Sequence, residues 1–178
     1  MKKTAALHKA GDIVEMAGIK FVVLDPHMAT DSEEEEALFI LAVDTVGNSV
    51  FGDSNNYAES DLKKAVEGWL DELVQKGLDL GLVKTRTLDL TTLDGYTGYG
   101  TLETKAAPLT MDEARKHADL IPECDEWSWL ATGWGRPGNV GSTPALRVYT
   151  NGDWYNDFCS LSSGIRPCLL YTSPSPRD

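Results

Sequence analysis

Positive charge is scarce in this chain. Sixteen Lys and Arg stand against 28 Asp and Glu in 178 residues, a formal net charge of −12. That balance argues against a nucleic-acid partner, because phosphate binding relies on a basic face that releases counterions. It argues equally against binding to an anionic membrane surface. Part of the acidity is a single run, "DSEEEE" from Asp31 to Glu36, which reads as a solvated loop. Long apolar runs are missing as well, and nothing approaches the roughly 20 residues that a membrane span requires. The opening "MKKTAALHKAGD" places two lysines directly after Met1, but His8 and Lys9 interrupt it before any apolar signal-peptide core can form. The expectation is a soluble product, cytoplasmic when synthesised.

Cysteine and histidine are equally sparse. Cys124, Cys159 and Cys168 are too few and too scattered for a disulfide framework or a zinc knuckle. His8, His27 and His117 are isolated, and His117 is expected to be exposed on a capped helix. No nucleophile–base–acid set, phosphate loop or metal-spaced cluster emerges, so neither catalytic residues nor a cofactor is expected.

What the chain does contain is a mixture of strand and helix signals. "DIVEMAGIKFVVLD" alternates on both sides of Gly18 and predicts a hairpin from Asp12 to Asp25. "ALFILAVDTV" is a continuous apolar run of strand length, the pattern of a central strand. A first helix follows Ser60 as N-cap, with Leu62, Val66, Trp69, Leu70, Leu73 and Val74 forming one apolar stripe and Gly77 ending it. A second, of about three turns, begins at "LTMDEARKHADLIP", where Thr110 and Glu113 form a capping box. Between them "TRTLDLTTLDGYTGYGTLE" predicts short strands or an irregular insertion. From Trp127 onward the chain turns all-β, with the Asn151-Gly152 turn between "ALRVYT" and "DWYNDFC". Strands, helix, irregular β, helix and meander make an α+β class: two helices packed on small antiparallel sheets, with a loop-rich C-terminal half.

Four of the five tryptophans lie between Trp127 and Trp154. Around them, Leu109 to Glu113, Trp127 to Trp134, Val148 to Trp154 and Gly164 to Pro167 follow one another in an order and spacing that resembles a known family. It is an uncharacterised domain family common in gut bacteria and their phages, domain of unknown function 6273, whose members have a C-type-lectin-like fold. "GIKFVVLD" and "VEGWLDELV" are similar to the family's opening strand and first helix. One departure is Thr132, where the family carries a basic residue; Arg136 arrives later. The resemblance implies an N-terminal segment over 1–10 and a single C-type-lectin-like domain over 11–167, truncated at its C-terminus.

Beyond Pro167 the resemblance stops. "CLLYTSPSPRD" is similar to one reading frame of a common transposon-based sequencing adapter, so 168–178 are expected to be read-through that carries no function. Thr172 to Asp178 are then expected to pack against nothing.

The fold family also includes formylglycine-generating enzymes, which use a reactive cysteine pair. Cys124 and Cys159 are the only candidates outside the tail, and neither has a thiolate-activating context. A calcium site would need convergent oxygens. "DWYNDF" offers Asp153, Asn156 and Asp157, but no matching "E-P-N" or "Q-P-D" loop, so no metal is expected.

Trp127 and Trp129, two apart in a strand, should face the same side, with at least one in the core. Trp134 is different, because it is flanked by glycines in a loop. The resemblance implies that a ligand site lies in this C-terminal region. Its expected members are Trp134, Arg136, Asn139, Arg147, Tyr149, Asn151, Asp153, Trp154, Tyr155 and Asn156. Aromatic rings supply contact area at low entropy cost, and the polar groups satisfy a ligand's hydrogen bonds. The reading is a non-catalytic ligand-binding module, a virion- or tail-associated or surface protein whose partner is a host-surface glycan or protein. The alternatives are a structural virion or assembly protein and a variable protein of a diversity-generating retroelement. The oligomeric state is left open.

Overall fold

The computed structural model describes residues 8–30, 36–138 and 144–172. Asn139, most of the acidic run and 173–178 lie outside the described residues. The fold is mixed α+β, with two α-helices and three sheets among the described residues.

The first sheet has six strands. β1 (Ile13–Met16) and β2 (Ile19–Ala29) form the expected hairpin, and β3 (Glu36–Ala42) pairs antiparallel with β2. Ala17 and Gly18 make the turn between β1 and β2 with φ of 50° and 80°. Two positive φ values are what a type I′ turn needs, and Ala17 is the one non-glycine among the described residues with a positive φ. β3 is buried along six of its seven residues because both of its faces are covered. Leu38, Ile40 and Ala42 enter one core, while Ala37, Phe39 and Leu41 enter a second.

α1 (Asp61–Gln75) covers the first of these faces with Leu62, Val66, Trp69, Leu70 and Leu73. The Ser60 hydroxyl accepts from the Lys63 amide at 2.9 Å and caps its start. Its end is a Schellman motif: Leu78 N–H donates to Leu73 C=O, Gly77 N–H donates to Val74 C=O, and Gly77 has φ +108°.

α2 (Met111–Lys116) lies on the opposite face and is shorter than expected. Six α-helical residues are followed by a 3-10 turn at Ala118–Leu120. The capping box is present, and Thr132 adds to it by accepting a hydrogen bond from the Met111 amide at 2.9 Å. His117, expected to be exposed, is buried; its ring lies 5.8 Å from that of Phe39. Burial and the neighbouring Lys116 charge both lower its pKa.

The insertion after α1 contains β5 (Val83–Lys84) and a two-stranded sheet, β6 (Arg86–Asp89) with β7 (Thr101–Thr104). Arg86 is buried and pairs with Glu113 of the capping box, which locks this sheet to α2. Its guanidinium also stands 5.1 Å from the Phe39 ring centroid.

β8 (Ala106–Pro108) and β5 both pair with β13 (Pro167–Tyr171), which lies between them and β3. The boundary expected at residue 167 therefore cuts into a central strand. Cys168 and Leu170 point into one core and Leu169 into the other. Thr172 also departs from expectation: it is buried, and its amide donates to Leu82 C=O at 2.8 Å. An apolar stretch of strand length beside β3 is drawn into pairing, since leaving either side unpaired would strand buried backbone groups.

The second sheet is built from β4 (Asn48–Val50), β9 (Ser128–Gly133), β10 (Pro144–Val148), β11 (Trp154–Phe158) and β12 (Ser162–Gly164). Their order is β11-β10-β9-β12-β4. The hairpin around Asn151-Gly152 forms; Tyr149 N–H donates to Asp153 C=O at 2.7 Å and closes the loop over 150–152, with Gly152 at φ +86°.

Candidate functional site

Strand β10 divides the expected ligand residues between its two ends. At its start, Trp134 N–H donates to Pro144 C=O; at its finish, Val148 pairs with Trp154. Those positions are four residues apart, on the order of 13 Å at the rise of a strand. The structure therefore separates Trp134 and Arg136 from Tyr149, Asn151, Asp153 and Trp154.

The Trp154 end is mostly packing. Arg147 is buried, with its guanidinium 3.8 Å from the Trp127 ring centroid and 5.9 Å from that of Trp129. Trp127 and Trp129 thus share a face, as their spacing implies. Asp157 pairs with Arg147 from the neighbouring strand. Tyr149 packs against Trp127 and Tyr155, and only Tyr155 of that stack is well exposed, at 53%. Trp129 is fully buried; its indole donates to Ser49 C=O at 2.9 Å. Trp154 is half-buried against the second core, and Asn156 is half-buried on the same strand face. Asn151 and Asp153 are exposed and hydrogen-bond each other. Asn156 and Asp157 are adjacent in a strand and face opposite sides, so they do not converge with Asp153 on one cation.

The Trp134 end is open. Trp134 is 41% exposed, and so is Leu93 on the facing loop. That loop, 90–100, connects β6 to β7 and is tied to the Trp134 segment at several points. Leu93 N–H donates to Gly133 C=O at 3.0 Å. Asp94 accepts from both the backbone amide and Nε of Arg136, at 3.2 and 3.3 Å. The Thr92 hydroxyl foremost, and then the Arg136 amide, hold the Asp94 carboxyl far below the usual carboxylate range. Tyr96 and Tyr99 stack edge to face with centroids 5.2 Å apart.

No family model, curated protein or solved structure matches the chain.

Beneath both loops lies Asn55, 1% exposed. Its amide donates to Gly135 C=O at 2.8 Å and to Pro144 C=O at 3.1 Å, while its oxygen accepts from the Tyr99 hydroxyl at 2.6 Å. Gly133 permits this approach, because a Cβ there would fall 2.9 Å from the Asn55 backbone oxygen. Sequence reading missed Asn55, Leu93, Asp94 and Tyr96. "LDGY" is a turn signal, but nothing local in "GDSNNY" marks Asn55.

Cys124, Cys159 and Cys168 are buried, and burial pushes the Cys159 thiol up to about 12 and raises that of Cys168 as well. Among the described residues, no group of three or more His, Cys, Asp or Glu could hold a metal ion. No helix among them is long and apolar enough to cross a membrane.

Proposed function

We propose that this chain is a non-catalytic recognition module of the C-type-lectin-like kind, a virion- or tail-associated or surface component that binds a host-surface glycan or protein. The observation that carries the reading is Trp134: a large aromatic side chain, well exposed, on a segment whose backbone is fixed from below by Asn55 and from the side by Asp94. A rigid aromatic anchor lowers the ordering cost of binding, and aromatic anchors dominate many recognition surfaces. Leu93 supplies apolar area beside it; Asp94 and Arg136 supply a polar rim. The acidic net charge makes polyanions poor ligands.

A structural virion or assembly role is the second reading, favoured by the Trp127–Arg147–Asp157 cluster, where conspicuous aromatic and charged residues serve packing. The readings part on one experiment: whole-cell binding and a glycan array with the chain and its Trp134→Ala variant. Binding that Trp134→Ala abolishes supports recognition. No binding by the unaltered chain, with normal folding, supports the structural role.

A further inference from the structure

We infer that Asn55 is the positioning residue of the Trp134 surface. It sets the spacing between the 90–100 loop and the Trp134 segment, and hence the pose in which the indole is presented. The inference rests on the recognition reading for the purpose of that pose, and on geometry alone for the order of the loops.

Asn55 is unusual in the number of separate segments it joins. One primary amide reaches Gly135 C=O and Pro144 C=O on the two sides of the Trp134 segment, and Tyr99 on the facing loop. These partners lie 80, 89 and 44 residues away in sequence, so no local turn can replace them. Loss of the amide takes this donor from Gly135 C=O, while Pro144 C=O keeps the Trp134 N–H, so the segment is freed on its Gly135 side to seek water. The geometry demands an amide in particular. Aspartate offers no donor to the two carbonyls, and leucine offers neither a donor to them nor an acceptor to Tyr99. Gly133 completes the device by leaving room for Asn55 to come this close.

The test is hydrogen exchange on the full chain, compared with Tyr99→Phe, Gly133→Ala and Asn55→Ala. The reporters are the amides of Leu93 and Trp134, which bond to Gly133 C=O and Pro144 C=O. Tyr99→Phe removes one bond and should accelerate exchange at both about three- to tenfold, with the amides of α1 unchanged. Gly133→Ala should do the same from the other side, and Asn55→Ala should do more. If Asn55→Ala fails to fold, the other two variants decide. Trp134 emission, taken as the difference from Trp134→Phe in each background, should shift in parallel. Unchanged exchange at the reporters, or a uniform rise throughout the chain, would overturn the inference. The recognition reading fails separately: if the unaltered chain binds no cell or glycan while the reporters respond, that reading falls and the role of Asn55 stands. If binding depends on Trp134 but the reporters ignore all three variants, the positioning role falls alone.

Discussion

Arg147 lies with its guanidinium against the Trp127 ring, 3.8 Å from the centroid, and Asp157 neutralises it from the adjacent strand. The charge is buried and paired, so removing one partner leaves the other stranded. Asp157→Asn should destabilise the chain by about 3 kcal/mol. Arg147→Met combined with Asp157→Leu, which discards both charges together, should cost less. Chemical denaturation of the two variants checks the order; a more stable Asp157→Asn would show that the pair contributes nothing.

Trp69 sits in the middle of the apolar face of α1, 6.4 Å from the Phe21 ring. Truncation to alanine should cost roughly 3–5 kcal/mol. A near-neutral Trp69→Ala in a denaturation measurement would mean that the α1 face is not held as described.

These two sites show how unevenly the sequence reveals the fold. The α1 stripe was legible because its period is local, and β3 because a strand buried on both faces must be apolar throughout. The Arg147–Trp127 contact was not legible, since it depends on how β9 and β10 register. Arg147 therefore read as a ligand group among exposed aromatics, whereas pairing turns it inward. The exposure of Trp134 was legible from its flanking glycines. Asn55 was not, because each of its partners comes from a distant part of the chain. β13 was set aside on the origin of its residues, a consideration to which strand pairing is indifferent.

The Ala17-Gly18 turn offers a stabilising change. Ala17 adopts φ +50°, a conformation that costs an ordinary residue on the order of 1 kcal/mol and that asparagine tolerates better. Ala17→Asn should raise the unfolding free energy by about 0.5–1 kcal/mol, read as a higher denaturation midpoint. A lower midpoint would place the strain elsewhere.

Burial raises the Cys159 thiol from its ordinary value of 9.0 to about 12. Below pH 9 the thiol is protonated in both the folded and unfolded states, and its contribution to stability does not vary. Above that, the unfolded chain loses the proton first, so stability falls as the pH rises toward 12. Denaturation midpoints between pH 9 and 11 should decline, and Cys159→Ala should flatten part of the slope. An identical slope in the variant would remove Cys159 from the account.

Trp134 and Trp154 stand at opposite ends of β10, the first exposed and the second packed on the core. Trp134 is exposed, and its ring should act as an anchor; anchors of this kind cost ~2 kcal/mol or more on removal. Trp134→Ala should therefore weaken binding to a host cell or glycan at least tenfold or so, with the melting temperature nearly unchanged. Trp154 packs on the second core, so Trp154→Ala should lower the melting temperature and affect binding only as far as the fold loosens. Both variants should be measured in the same whole-cell assay and the same thermal scan. If Trp154→Ala abolishes binding at an unaltered melting temperature while Trp134→Ala binds normally, the ligand surface lies at the Asn151-Gly152 end and the Trp134 assignment is wrong.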